Sequence, residues 1–218
     1  MSQPPETSSP TQNGHTTSHR LFAAYYERTS HSSSEELFFA PLREEVTRLA
    51  HGRVLEIGAG NGLNFAYYDP ASVEQVEATE PDSAMLRYAH RRAEAARVPV
   101  HLVQAPVEYL PFADESFESA VVTLVFCSVS DPQRGLSEIR RVLKPGGALL
   151  MVEHVRSRGA IASTIQNIVT PINRLIAGNC HWNRDTEQTV IEAGFKIEQR
   201  RELSRSAIVP LIVLHAVK

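Results

Sequence analysis

Val54-Leu55-Glu56-Ile57-Gly58-Ala59-Gly60-Asn61-Gly62-Leu63 is the stretch that decides the fold of this chain. A run of β-branched and leucine residues leads directly into three alternating glycines, which predicts a strand followed by a tight loop. Glycines let a backbone approach a ligand closely, because no Cβ atom stands in the way. The N–H groups at the start of the next helix point at the same place. The stretch therefore predicts a ligand-binding loop at the end of the first strand.

An acidic residue follows the loop at an informative distance. Glu80 comes about 20 residues later, at the end of the second predicted strand, where a carboxylate can bind both hydroxyls of a ribose. An ordinary strand–turn–helix corner is the alternative for the glycines alone, and Glu80 argues against it. The loop and Glu80 together predict an adenosine-containing cofactor.

The spacing of the glycines indicates which cofactor binds. In the dinucleotide fingerprint the third glycine comes three positions after the second. Here Gly62 comes two positions after Gly60, and Leu63 follows. Glu56, just before the loop, repels phosphate and suits a cofactor with a cationic amino end, such as S-adenosylmethionine. A dinucleotide-dependent dehydrogenase is therefore disfavoured.

Composition sets the class of protein. The 218 residues predict one domain, and the 42% hydrophobic content is enough for a sizeable core. A net charge of −3 predicts no nucleic-acid partner.

The two cysteines, Cys127 and Cys180, make no disulfide framework, which favours a cytoplasmic location. The chain has no signal-peptide pattern and no apolar run of the roughly 18 residues that a membrane span needs. Nothing in the sequence indicates an oligomeric state.

The pattern along the chain predicts an α/β fold with a seven-stranded, mostly parallel sheet and helices on both faces. The last two strands are joined by a short loop, which predicts a C-terminal antiparallel hairpin. Strands are predicted at 53–57, 74–79, 99–104, 118–125, 147–153, 195–202 and 208–217. Helices are predicted at about 61–68, 82–96, 132–143, 159–177 and 185–193.

Local signals mark the ends of several predicted elements. Asp131 followed by Pro132 is typical of a helix N-cap, and Asp185 with Gln188 matches a capping box. The run 144–147, Lys-Pro-Gly-Gly, predicts a turn before the fifth strand. We interpret these residues as structural.

The domain has three predicted parts besides its core. Residues 1–20 are polar and predict a disordered tail, and residues 21–218 form a single domain. Within it, residues of about 21–50 form a predicted lid, and residues of about 156–184 a cap insertion. The cap contains a helix with a broad apolar face, interrupted by Pro171. Because the polar face has few cations, a cap over the acceptor is favoured over contact with a membrane surface.

Four segments together resemble a known family. "VLEIGAGNG", "EATEPDSAML", "LPFADESFESAVV" and "EIRRVLKPGGALLMVEH" resemble the successive motifs of class I S-adenosylmethionine-dependent methyltransferases, over about residues 52–155. The resemblance implies a Rossmann-like sheet. The longer stretch "VVTLVFCSVSDPQRGLSEIRRVLKPGGALLMVEHV", followed by "GNCHWNRDT", is similar to a narrower group. That group includes animal methyltransferase-like enzymes that methylate small thiols and bacterial proteins of unassigned substrate. Quinone-biosynthesis and phospholipid N-methyltransferases are more distantly similar.

The resemblance also implies roles for particular residues. It places Glu80 on the ribose hydroxyls and Met85 on the adenine face. Many relatives have Asp-Ala where this chain has Pro106-Val107, and proline offers neither a side-chain acceptor nor an N–H. Adenine recognition then falls to the Val107 backbone N–H and to apolar packing. The full predicted cofactor-binding set is Glu56, Gly58, Gly60, Gly62, Glu80, Met85, Val107 and Leu124.

Two histidines are the candidates for acting on the acceptor. His154 ends the fifth predicted strand, where the acceptor should lie, and a histidine has the right pKa range for a general base. His181 lies beside Cys180 and Trp182 between two helices, where it can line the acceptor pocket. For both, a structural role is the alternative. The spacing of Cys127, Cys180, His154 and His181 does not indicate a metal site, so no metal is predicted.

The sequence thus predicts a methyltransferase that uses S-adenosylmethionine on a small apolar acceptor, with a thiol implied by the narrower resemblance. One alternative is an N-, O- or C-methyltransferase acting on a lipid, a quinol or a secondary metabolite. Another is a non-catalytic cofactor-binding protein that regulates a partner.

Overall fold

Seven strands form one sheet in the computed structural model, which describes residues 19–176, 180–203 and 208–218. The predicted tail lies outside the described residues, except for its last two positions. The order across the sheet is β3-β2-β1-β4-β5-β7-β6. The strands are β1 (Gly52–Ile57), β2 (Val73–Thr79), β3 (Val100–Val103), β4 (Phe117–Thr123), β5 (Leu143–His154), β6 (Lys196–Leu203) and β7 (Leu211–Val217).

The direction of the strands confirms the predicted fold class. β1 pairs in parallel with β2 and β4, β2 with β3, and β4 with β5. Only β7 runs against its neighbours, β5 and β6. The carboxyl ends of β1, β2, β4 and β5 therefore lie at one edge of the sheet, where ligands bind in folds of this type.

Six α-helices accompany the sheet in the described residues, and two apolar cores pack on its opposite faces. Two predicted helix starts are confirmed. Asp131 accepts a hydrogen bond from the Arg134 N–H, and Asp185 from the Gln188 N–H. No helix among the described residues is long and apolar enough to cross a membrane. The helices are α1 (Arg20–Thr29), α2 (Ala40–Arg48), α3 (Ser83–Glu94), α4 (Pro132–Val142), α5 (Ala160–Ile176) and α6 (Thr186–Glu192).

Three local predictions need correction. The helix predicted at 61–68 is a 3₁₀ segment, Leu63–Tyr67, because its buried Phe65 and the left-handed Gly62 hold the chain in a tight turn. The predicted turn at 144–147 lies inside β5, as an excursion between two paired stretches of that strand. Finally, α5 continues through Pro171 rather than being interrupted there.

Candidate active site

The glycine loop after β1 is held in a conformation that suits glycine. Gly58, Gly60 and Gly62 all have positive φ, at +60°, +57° and +85°. A Cβ atom on Gly58 would lie 2.7 Å from the side chain of Val125, and one on Gly62 would lie 2.5 Å from the ring of Phe65. A Cβ atom on Gly60 would meet nothing closer than 4.0 Å. Gly58 and Gly62 are therefore required for packing, whereas Gly60 faces open space that a ligand can fill.

Glu80 joins this loop to the end of β2. One carboxylate oxygen of Glu80 accepts a hydrogen bond from the Gly60 N–H and the other from the Asp82 N–H, each at 2.9 Å. The side chain is nearly fully buried, and burial raises its pKa although both N–H donors oppose the rise. A carboxylate has about four lone-pair sites. Each oxygen thus keeps capacity for a further donor, such as a sugar hydroxyl.

Glu56 lies behind the loop in a buried network. Its carboxylate accepts hydrogen bonds from the Tyr68 hydroxyl at 2.6 Å and the Asn64 amide at 3.1 Å. Asn64 in turn accepts from the guanidinium of Arg43 at 3.1 Å. Complete burial raises the pKa of Glu56 to about 7, against the opposing effect of these partners. The predicted contact of Glu56 with a cationic amino end remains a prediction.

Helix α1 lies over the glycine loop and is tied to it by polar side chains. The Asn61 amide donates to the Glu27 carboxylate at 2.6 Å and to the Ser30 hydroxyl at 3.0 Å. Arg92 on α3 donates to the same carboxylate at 2.9 Å and to the Asn61 carbonyl at 3.0 Å. Burial raises the pKa of Glu27, but hydrogen bonds from Arg92 and Asn61 hold it below its usual value. We call Glu27, Asn61 and Arg92 the α1 clasp.

The α1 clasp was not predicted from the sequence. Its three members come from the N-terminal segment, the loop and the last turn of α3, and no local pattern connects them. The role of residues of about 21–50 as a lid stays a prediction. The structure shows which side chains hold that segment on the loop.

Met85 lies under α1. Its side chain is buried in a small cluster with Ala23 of α1 and Ala84 of α3. If Met85 packs on an adenine ring as predicted, the ring has to lie next to α1.

Val107 and Leu124 are the remaining members of the predicted cofactor-binding set, and they pack against different cores. The Val107 side chain is buried in the core, and among the described residues nothing accepts a hydrogen bond from its N–H. Leu124 directly follows β4 and has a φ of +60°, which is unusual for a residue with a side chain. Its N–H donates to the Val152 carbonyl at 2.8 Å, which holds this strained backbone against β5. Such strain concentrates at functional sites.

Glu153, at the end of β5, organises the loop that follows β4. One of its carboxylate oxygens accepts from the N–H groups of Val125 and Phe126, at 2.7 and 2.8 Å. The other oxygen is buried and has no hydrogen-bond partner in the described part of the chain. Burial raises the pKa of Glu153 to about 7, although the two N–H donors oppose the rise.

Next to Glu153, three side chains from separate segments meet. Cys127 follows β4, His154 ends β5, and Cys180 precedes α6; their sulfur and nitrogen atoms lie within 4.8 Å of one another. Contact with Cys180 and burial raise the pKa of the Cys127 thiol well above its usual value.

His181 contributes by holding the Cys180 segment in place. Its backbone N–H donates to the Cys127 carbonyl at 2.7 Å, and its ring Nδ1 lies 3.1 Å from the same oxygen. The structure thus brings both predicted histidines, His154 and His181, to the same edge of the sheet. The His181 ring, however, contacts the backbone carbonyl of Cys127. Gly178 and Asn179, which precede this segment, lie outside the described residues.

Helix α5, in the predicted cap, is held against its neighbours by a polar residue that the sequence did not single out. Gln166 is completely buried, and its amide donates to the carbonyls of Val155, Trp182 and Ile208 at 2.8 to 3.1 Å. Two residues of the predicted apolar face, Ile161 and Ile168, are instead exposed. The presence of a glutamine in an otherwise apolar stretch of the helix could have indicated this contact.

Comparisons with known proteins agree with this geometry. A family model described as a methyltransferase domain matches residues 55–151. Thiol S-methyltransferase TMT1B of Rattus norvegicus is 34% identical over 149 residues, which cover 65% of this chain and 59% of the rat protein. Thiol S-methyltransferase TMT1A of Homo sapiens is 30% identical over 208 residues, which cover 90% of this chain and 83% of the human protein.

The chain belongs to the class I S-adenosylmethionine-dependent methyltransferases. A solved S-adenosylmethionine-dependent methyltransferase from Thermotoga maritima has the same fold, with a TM-score of 0.68 at 23% identity over 91% of this chain and 97% of that chain. The cofactor of this methyltransferase is S-adenosylmethionine.

The residues present fit that cofactor. Gly60 leaves open space where a side chain would stand, and the Glu80 carboxylate beside it keeps acceptor capacity. The Val107 N–H has no acceptor among the described residues and can donate to a nitrogen of the adenine ring. When bound, S-adenosylmethionine supplies a methyl group on a positively charged sulfur. The residues that would hold it are the predicted set at this edge of the sheet, from the glycine loop to the end of β4.

Proposed function

We propose that this methyltransferase transfers the methyl group to the sulfur of a small, rather apolar thiol. The observation that carries the proposal is the extent of the similarity to the human thiol S-methyltransferase TMT1A. That alignment covers 90% of this chain, so it extends well beyond the cofactor-binding motifs of residues 55–151. It includes most of the segments that surround His154 and His181.

The chemistry of the acceptor edge supports a thiol. A sulfonium already activates the methyl carbon, so the protein mainly has to align the reacting atoms, roughly 3–3.5 Å apart. A thiol with a pKa of about 8.5 is partly ionised at neutral pH and needs little help to become a nucleophile. Glu153 and Cys127 are buried, and one oxygen of Glu153 already accepts from two backbone N–H groups, whereas the His154 side chain is partly exposed. Among the described groups at this edge, His154 is therefore the candidate for orienting or deprotonating the acceptor.

Labelled methyl transfer tests the proposal. The protein is incubated with isotope-labelled S-adenosylmethionine and an alkyl thiol, hydrosulfide, a phenol, a quinol or phosphatidylethanolamine, and products are identified by mass spectrometry. We expect labelled thioether from the thiols. Labelling of the quinol, the phenol or the lipid without the thiols would overturn the thiol proposal. Cofactor binding without any product would favour the non-catalytic alternative.

A matched pair of histidine variants tests the role of His154. Both His154 and His215 carry a buried Nδ1 without a hydrogen-bond partner in the described part of the chain, but His215 lies on β7 away from the acceptor edge. His154→Ala is expected to lower kcat for the thiol at least tenfold and to leave the dissociation constant of S-adenosylmethionine unchanged. His215→Ala is expected to change neither. Equal kcat values in the two variants would make His154 a structural residue.

A further inference from the structure

The Cys127, His154 and Cys180 side chains form a cluster whose chemistry the methyl transfer does not by itself require. They come from three segments that are far apart in sequence, and their donor atoms all lie within 4.8 Å of one another. Both cysteines are buried thiols, and the Nδ1 atom of His154 is buried with no hydrogen-bond partner among the described residues. We call these three residues the Cys–His cluster.

Two sulfurs and an imidazole nitrogen are a typical ligand set for zinc. Zn²⁺ binds thiolate sulfur at about 2.3 Å and imidazole nitrogen at about 2.0–2.1 Å in tetrahedral geometry. Two sulfurs on one zinc ion then stand about 3.8 Å apart, and a sulfur and a nitrogen about 3.6 Å apart. The observed spread of at most 4.8 Å is close enough that small side-chain rotations bring the three atoms to those distances.

The backbone around the cluster is already fixed. Glu153 holds the N–H groups of Val125 and Phe126, immediately before Cys127. The His181 N–H bonds the carbonyl of Cys127 and so holds the Cys180 segment against the loop after β4. Metal sites depend on such surrounding hydrogen bonds to orient their ligands. The backbone hydrogen bonds of the fold therefore hold the three residues close together.

We propose that Cys127, His154 and Cys180 bind one zinc ion and leave its fourth coordination position open for the acceptor. Within the described residues three donors form this cluster, and a zinc site with three protein ligands and one open position is typical of catalysis rather than of structure. The part of the proposal that concerns the acceptor rests on the proposed thiol methyltransferase function.

A zinc ion here would activate the acceptor thiol directly. The thiol takes the open position and releases its proton to water, because a coordinating thiol is deprotonated by the metal. The bound thiolate sulfur then forms a bond to the methyl carbon as the bond from that carbon to the sulfonium sulfur breaks. The electron pair of the broken bond stays on the former sulfonium sulfur, and the products are a neutral thioether and S-adenosylhomocysteine. Zinc is neither oxidised nor reduced.

Metal binding can be measured without reference to activity. The full chain is purified under reducing conditions, its zinc content is determined by mass spectrometry of the metal, and Co²⁺ is titrated in as a coloured substitute for zinc. We expect one zinc ion per chain and a thiolate-to-cobalt charge-transfer band. Cys127→Ser, Cys180→Ser and His154→Ala should each weaken zinc binding at least tenfold, whereas His215→Ala should bind zinc like the unmodified chain. Retained binding of S-adenosylmethionine shows that each variant has folded.

Several outcomes would overturn the site. A reduced chain that binds neither zinc nor cobalt would do so, as would a His215→Ala control that loses as much zinc as the cluster variants. Formation of a Cys127–Cys180 disulfide in air by a chain that binds no metal when reduced would identify a redox pair instead of a zinc site.

The activity assay separates this inference from the proposed function. If thiols are methylated equally by zinc-loaded and zinc-depleted protein, the activating role of the metal is wrong and the thiol methyltransferase stands. If zinc binds at the cluster but thiols are not methylated, the zinc site stands and the proposed acceptor is wrong.

Discussion

The Glu80 carboxylate accepts a hydrogen bond from the Gly60 N–H at 2.9 Å, and this bond ties the glycine loop after β1 to the end of β2. The acid at the second strand therefore has two tasks. It shapes the loop that is predicted to bind the cofactor, and it is the predicted acceptor for the ribose hydroxyls. Substitution of Glu80 should therefore weaken cofactor binding by more than the loss of a single contact with the cofactor would.

Glu80→Ala is expected to weaken S-adenosylmethionine binding by about 1.5–3 kcal/mol, the cost of losing hydrogen bonds to a charged group. That corresponds to roughly a 10- to 150-fold rise in the dissociation constant, measured by isothermal titration calorimetry. Glu74 lies on β2, the strand that Glu80 follows, and is exposed, so Glu74→Ala is the control. An unchanged affinity in Glu80→Ala would remove Glu80 from the cofactor site.

Two loop glycines should respond differently to the same substitution. Gly60→Ala places a methyl group in open space. Its only cost is that alanine must adopt the left-handed backbone conformation of Gly60, which lowers the free energy of unfolding by about 1–2 kcal/mol. Gly62→Ala costs more, because its Cβ would also collide with the Phe65 ring at 2.5 Å. We expect Gly60→Ala to fold and to bind S-adenosylmethionine at least tenfold more weakly. Thermal unfolding and calorimetry measure both quantities. Normal binding by a folded Gly60→Ala protein would show that the space beside Gly60 is not the cofactor cradle.

The α1 clasp should control how firmly α1 covers the loop. Glu27→Gln keeps the shape of the side chain but removes its charge, which weakens the hydrogen bonds from Arg92 and Asn61 by about 1–3 kcal/mol in total. Amide hydrogen exchange of residues 20–29 should become faster, and S-adenosylmethionine should dissociate faster. Glu36→Gln, at an exposed position in the same segment, is the control. Identical exchange in the two variants would rule out the clasp as the restraint.

The buried carboxyl of Glu56 predicts a dependence of stability on pH. Its pKa rises from 4.5 to about 7 in the folded protein because of burial, so the folded state binds a proton that the unfolded state has lost. The free energy of unfolding should therefore fall as pH rises from about 4.5 to about 7, by up to about 3 kcal/mol from this group.

Glu56→Gln removes this titrating group and should make the decline smaller, while the share that comes from Glu153, whose pKa burial also raises to about 7, remains. Urea unfolding at several pH values measures it, with Glu198→Gln at an exposed position as the control. A decline of the same size in Glu56→Gln and in the unmodified protein would assign the effect to other carboxyls.

The cofactor half of the molecule was predictable because its signals are local. The strand before Gly58 and the alternating glycines act within a few positions, as do the helix caps Asp131 and Asp185 further along the chain, and the structure places all of them as expected. The failures were also local. The helix predicted at 61–68 became a 3₁₀ turn because the burial of Phe65 outweighed helix propensity.

The acceptor half was less predictable because its contacts join distant segments. The sulfur atoms of Cys127 and Cys180 meet only after β4, β5 and the segment before α6 have assembled, so their spacing in the sequence carries no information. Buried polar groups such as Gln166 are likewise defined by the carbonyls that surround them. Tertiary packing, rather than periodicity, positions these residues.

The place of β7 in the sheet has a consequence for synthesis on the ribosome. β7 follows β6 along the chain but inserts between β5 and β6, so β6 has no partner until residues 211–217 have been made. During that interval the growing chain exposes an open edge on β5, next to the end of the strand that carries His154, and such edges invite pairing with other chains. The acceptor side of the enzyme is thus the last to become protected, and a nascent-chain chaperone would have most to shield there.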